Sequence, residues 1–188
     1  MEISEEEKKV LLNAARHSIK SKFTNEALPA CDYEKFPNLA INAGAFVTLS
    51  VGNQLRGCIG YIVSDKPLFQ TVVDAARQAA FKDPRFLPLN KAELDLIEIE
   101  ISVLSPPFDL NDYNEIEIGK HGLILDELQR ALLLPQVPVE HNMNLEEFLT
   151  ALCRKAGLPG NTWRERQIKL KAFTANVFSE ETNGGRNE

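Results

Sequence analysis

Hydrophobic and polar positions change period several times along the chain, and each change marks an element. From Ser4 to about Lys22 the apolar residues Val10, Leu11, Ala14, Ala15 and Ile19 recur at helical spacing. Ser4 and Glu7 add a capping-box signature, so the pattern predicts an amphipathic helix. Between Thr24 and Asn42 no period is sustained and two prolines intervene, which predicts a long loop. "AFVTLSV" then alternates, with Val47, Leu49 and Val51 on one face. Gly52 and Asn53 supply a two-residue turn and "QLRGCIGY" returns, predicting a β-hairpin. A second helix should begin near Pro67, capped by Ser64 or Asp65, and bury Leu68, Val72, Val73, Ala76, Ala79 and Ala80. Pro84 and Pro88 in "DPRFLPL" stop it.

"LDLIEIEISVL" alternates strictly and predicts a strand that "SPPFDL" ends. "HGLILD" and "ALLLPQV" predict two short strands joined across "ELQR". Asn144 can cap a helix over "LEEFLTALCRKAG", with Glu146 and Glu147 at its positive end and Gly157 closing it. "IKLKAFTANVFSE" reads as a long strand, and residues 182–188 as a disordered tail. Hairpins and separate helices without a βαβ rhythm place the chain in the α+β class, a largely antiparallel sheet flanked by helices.

Composition adds limits. A chain of 188 residues with 44% hydrophobic and 26% charged residues suits one globular domain. The 27 acidic and 21 basic residues give a net charge of -6, which argues against duplex DNA or RNA as partner but leaves room for a local basic cleft. No apolar run approaches the roughly 20 residues of a membrane span, and "MEISEEEKKV" is unlike a signal peptide, so a cytoplasmic protein is expected. Cys31, Cys58 and Cys153 are odd in number and lack a CxxC pair, so neither a disulfide framework nor a cysteine zinc site is expected. His17, His121 and His141 have no metal-ligand spacing, and no cofactor fingerprint is present.

The chemistry concentrates in "QLRGCIGY", residues 54–61. In an extended strand Arg56, Cys58 and Gly60 share one face, while Leu55 and Ile59 share the core face. A guanidinium beside a thiol favours the thiolate, which would make Cys58 a nucleophile; equally, a free cysteine can simply fill space. Two glycines in one strand imply a bulge or a close approach, and a ligand would fit the gap over Gly60. Glu98 and Glu100 share the non-core face of their strand and could pair with Arg56 or act as acid and base; solvated glutamates explain the same letters. Asp83 and Arg85 in "KDPRF" read as binding residues on a rigid corner or as a surface ion pair. His121 in "GKHGL" reads as a solvated turn histidine before a catalytic one, and Trp163 as a core anchor before a stacking wall.

Taken in order, "GAFVTL", "LRGCIGY", "DPRFLPL", "ELDLIEIEISVLSPP", "GKHGLIL", "LLLPQV", "FLTALCRKAGL", Trp163 and "FTANVFSE" resemble the AMMECR domain family, protein A of the AmmeMemoRadiSam system, from about Ala43 to Glu180. The resemblance implies a larger body built from both chain ends, a smaller internal subdomain, and the LRGCIG hexapeptide near a cleft between them. It also implies a cytosolic protein whose companions are a Memo-like protein and a radical S-adenosylmethionine protein, a trio that together modifies some substrate. It supplies no reaction. Two expectations follow. In one, the chain is a binding or accessory component whose cleft takes a small anionic or nucleotide-like ligand through Arg56, Gly57, Gly60, Asp83, Arg85, His121 and Trp163. In the other, it is an enzyme with Cys58 as nucleophile, Arg56 as activator and Glu98 or Glu100 as acid or base.

Overall fold

The structure, a computed structural model, describes residues 3–180, so the tail expected at 182–188 lies outside the described residues. The chain divides into two compact units: residues up to Leu104 together with those from Asn176 onward, and Ser105–Ala175.

In the first unit, helix α1 (Glu5–Thr24) starts at the predicted capping box, where Ser4 and Glu7 exchange side-chain and backbone hydrogen bonds. The long stretch after it contains one 3-10 turn, Pro37–Ala40, which buries Leu39. Strands β1 (Ala45–Val51) and β2 (Gln54–Tyr61) form the hairpin, with Gly52 in the left-handed region at the turn. Helix α2 (Leu68–Phe81) carries the predicted stripe but not the predicted cap. Pro67 is its N-cap and no side chain caps it, because the Ser64 hydroxyl is taken by the Lys66 N–H and the Thr71 hydroxyl. Strand β3 (Ile97–Leu104) pairs antiparallel with the other side of β1, giving the order β2-β1-β3 with β2 at the edge. Val47, Leu49, Ile99 and Ile101 share one face and join Leu11, Ile19, Val72 and Ala76 in a single apolar cluster. The strict alternation of β1 and β3 therefore gives one face to the two helices.

The second unit holds β4 (Phe108–Leu110), β5 (His121–Asp126), β6 (Arg130–Leu133), α3 (Gln136–Glu140), α4 (Leu145–Lys155), α5 (Thr162–Glu165) and the start of β7 (Leu170–Ser179). Its strands run β6-β5-β7 with β4 also on β7, all antiparallel. Helix α4 packs Phe148, Leu149, Leu152 and Cys153 against Leu123, Leu125, Leu170 and Ala172. Asn144 and Glu147 form a second capping box at its start. From Asn176 the chain is back in the first unit, where the Glu180 N–H donates to the Ile99 carbonyl at 3.0 Å.

Three further local expectations change. "FDL" is not merely a terminator but the short strand β4, whose three residues are too few to display an alternation. "ALLLPQV" ends as a strand at Leu133, because Pro135 has no N–H for a ladder and its φ of -59° opens α3 instead. Helix α5, around Trp163, was not anticipated; four residues carry no period.

Candidate functional site at the edge hairpin

The β1–β2 register shifts between Leu49 and Ser50: Leu49 lies opposite Gly57 and Ser50 opposite Leu55, so Arg56 is the extra residue of a β-bulge. The bulge breaks the two-residue alternation. Leu55, expected in the core, is 44% exposed, whereas Ile59 packs against the core cluster. Both glycines are explained by protein atoms. A Cβ on Gly57 would strike the backbone oxygen of Ala79, where α2 crosses the sheet, and a Cβ on Gly60 would strike Phe46 on the neighbouring strand. The expected gap over Gly60 is thus filled by the Phe46 ring.

The carboxylate that Arg56 grips is that of Glu93, which lies outside the alternating strand of Glu98 and Glu100. Arg56 Nε donates to Glu93 Oε1 at 2.6 Å and its Nη2 to Glu93 Oε2 at 3.0 Å, and both side chains are mostly buried. Glu93 closes the 3-10 turn Lys91–Glu93 and also accepts the Asn90 N–H at 2.9 Å. The Arg56 hydrogen bonds, then the Asn90 N–H, hold its carboxyl below the usual carboxylate range against a smaller opposing effect of burial. Glu93 was missed among the predicted residues. The Asn90-x-x-Glu93 spacing marks a cap in the sequence, but nothing there links it to Arg56.

Cys58 is half-buried and held on every side. Its N–H donates to Asp83 Oδ2 at 2.9 Å, its carbonyl accepts from Arg85 Nη2 at 3.4 Å, and its sulfur accepts from the Thr48 hydroxyl at 3.4 Å. Because β2 is an edge strand, Asp83 and Arg85 occupy the backbone groups that a further strand would otherwise take. Asp83 is 4% exposed and also accepts from Arg85 Nε at 3.0 Å and Nη2 at 2.7 Å. The Arg85 side-chain hydrogen bonds hold its carboxyl well below the usual range, overcoming burial, with help from the N–H groups of Cys58 and Arg85. The expected Asp83–Arg85 pair therefore forms, but its carboxylate is interior and bound to the hexapeptide.

Glu98 lies opposite Ser50 and Glu100 opposite Thr48, so Cys58, Thr48 and Glu100 form one row across three strands. Two ladder spacings of about 4.8 Å put the Cys58 and Glu100 backbones about 10 Å apart, with Thr48 between them. His121 and Trp163 belong to the second unit. His121 is not a solvated turn residue: β5 begins at it, opposite Thr174, and it is buried. Its Nδ1 accepts the Glu117 N–H at 3.2 Å and its ring meets Phe108 edge-on. Trp163 anchors the second core, donating from Nε1 to Thr150 Oγ1 at 3.0 Å and meeting Tyr113 edge-on, with the Arg164 guanidinium 4.8 Å from its ring centre.

These features define an α+β protein whose edge strand carries an LRGCIG bulge, clamped by an aspartate and an arginine from the turn after the second helix. The AMMECR1 family model matches residues 12–178, and the chain belongs to that family. It is 41% identical over 180 residues to a protein of Aquifex aeolicus, covering 90% of this chain and 91% of that one. It is 42% identical over 176 residues to Protein NEQ441 of Nanoarchaeum equitans, covering 87% and 97%. The crystal structure of uncharacterized protein PH0010 from Pyrococcus horikoshii superposes with a TM-score of 0.86 at 37% identity, over 95% of this chain and 94% of that one. No helix among the described residues is long and apolar enough to cross a membrane.

Proposed function

We propose that this protein is a binding or accessory component without covalent chemistry of its own, serving a cytosolic modification system together with a Memo-like protein and a radical S-adenosylmethionine protein. Arg56 supports this reading most directly: a guanidinium bonded through two nitrogens to one carboxylate is neutralised where a thiolate would need its charge. The rest of the hexapeptide points the same way. Gly57 and Gly60 accept protein atoms, and the Cys58 backbone is held by Asp83 and Arg85, so the motif stiffens a hairpin. A rigid edge with an exposed guanidinium at Arg85 and an exposed Leu55 suits the presentation of a surface.

The test combines partner capture with thiol chemistry. Immobilised protein should retain a Memo-like and a radical S-adenosylmethionine protein, and Cys58→Ser, which keeps a hydrogen-bonding group beside Thr48, should retain them equally and preserve the activity of the assembled trio. Alkylation of Cys58 at neutral pH much faster than a free thiol, slowed by Arg56→Ala, together with loss of activity in Cys58→Ser, would instead establish the nucleophile reading.

A further inference from the structure

A cavity of about 330 Å³ lies within the first unit, where the C-terminal turns of α1 and α2 meet the end of β2. Lys22, Lys66, Arg77 and Lys82 line it, with Tyr61 and Gln78 between them. Among the described residues Asp74 is the one acidic group on its wall, so that lining carries three net positive charges in a chain whose net charge is -6. Lysines near helix C-termini favour the helix dipole, which accounts for Lys22 and Lys82 taken singly. It does not account for their convergence with Arg77 and Lys66 on one hollow, where like charges repel unless an anion sits among them.

The polar groups are placed for such an anion. Arg77 Nη1 donates to the Ser18 carbonyl at 3.0 Å and to Ser21 Oγ at 3.1 Å, which fixes the guanidinium at the wall through one of its nitrogens. Gln78 Nε2 donates to the Tyr61 hydroxyl oxygen, leaving the phenol proton to be given to something else. Among the described residues neither Lys22 nor Lys82 has an acidic partner, and Asp83, next to Lys82, is committed to Arg85 and Cys58. Lys66 is held by Asp74 at 2.5 Å. Phe81 and the Tyr61 ring supply apolar wall beside the charges.

The geometry points to a site for a small phosphate-bearing molecule in this cavity, with the phosphoryl oxygens met by Lys22, Arg77, Lys82 and the Tyr61 hydroxyl, and the organic part against Phe81. A compact hollow of this size suits a metabolite such as a nucleoside monophosphate better than a nucleic-acid strand, which needs an extended basic track. Asp74, by engaging Lys66, moderates the attraction. The inference places the small anionic or nucleotide-like ligand expected from the sequence away from Arg56; it goes beyond the accessory reading and is independent of the partner proteins.

Titration with inorganic pyrophosphate and with adenosine monophosphate, followed by calorimetry at an ionic strength of about 20 mM, tests it. Both should bind in the submillimolar range. The exposed-site double variant Lys22→Ala/Lys82→Ala should weaken both by about tenfold or more, and Asp74→Asn should tighten both by about threefold. Lys120→Ala/Lys155→Ala, in the other unit, should change nothing. Binding that ignores the Lys22/Lys82 pair, binding of a single-stranded oligonucleotide that pyrophosphate does not displace, or no binding of either probe would overturn the proposal. Partner capture proceeding normally beside any of these results would leave the accessory reading standing.

Discussion

Asp83 shows how much one buried carboxylate can organise. It satisfies an edge-strand N–H and orients Arg85, both from a turn residue. Its folded pKa lies below the ordinary carboxylate value, so the stability it contributes is complete above about pH 4 and is lost as the pH falls toward the folded value. Asp83→Asn should cost about 1–3 kcal/mol at neutral pH, and its gap to wild type should close progressively below about pH 4 in urea titrations. A pH-independent gap would mean that shape, not charge, is what the turn needs. Gly57→Ala should cost at least about 2 kcal/mol by the same measurement, since both the strand and the Ala79 carbonyl it meets are backbone and neither can yield.

At the scale of elements, hairpin and helix starts behave as independent local devices. Each of the longer helices with a capping box begins where the box stands in the sequence, α1 at Ser4 and α4 at Asn144. Asn144→Ala should therefore cost about 1 kcal/mol of stability, and hydrogen exchange should show the extra opening confined to the first turn of α4. Opening spread over the whole second core would show instead that the cap holds the unit together. The hairpin is less local. Its turn is written at Gly52 and Asn53, but its bulge at Arg56 exists because α2 presses on Gly57 and Glu93 draws the guanidinium aside.

For the molecule as a whole, the last described residue closes the first unit. Glu180 accepts from Arg16 Nε at 2.6 Å and from its Nη2, and its other contacts reach β3, whose Ile99 N–H it accepts at 3.1 Å. Arg16 also donates to the carbonyls of Leu94 and Ile97 at 2.8 and 2.7 Å, so helix α1, strand β3 and the end of β7 are tied at one guanidinium. The hydrogen bonds to Glu180 raise the Arg16 pKa further, against burial, and keep it charged at any accessible pH. Both side chains are partly exposed, so solvent screening limits the effect. Glu180→Gln should cost about 1–2 kcal/mol and speed hydrogen exchange at the Ile99 amide first. Unchanged exchange there would assign the pairing to the strand ladder alone.

The sequence by itself determined what depends on near neighbours along the chain: the capping box at Ser4, the cap at Asn144, the helical stripes, the alternation of β1, β3 and β7, the α+β class, and, through the ordered LRGCIG motif, the family. Those signals are local, and the physics they report is local too. Only the tertiary structure decided the partners of the chemical groups, because side chains choose partners in space. Arg56 meets Glu93 from thirty-seven positions along the chain, and Phe46 fills the space over Gly60. His121 enters a core, and a bulge turns Leu55 outward. The cations of the hollow at Tyr61 lie between positions 22 and 82 and carry no motif, so only two helix ends packed together bring them to one place.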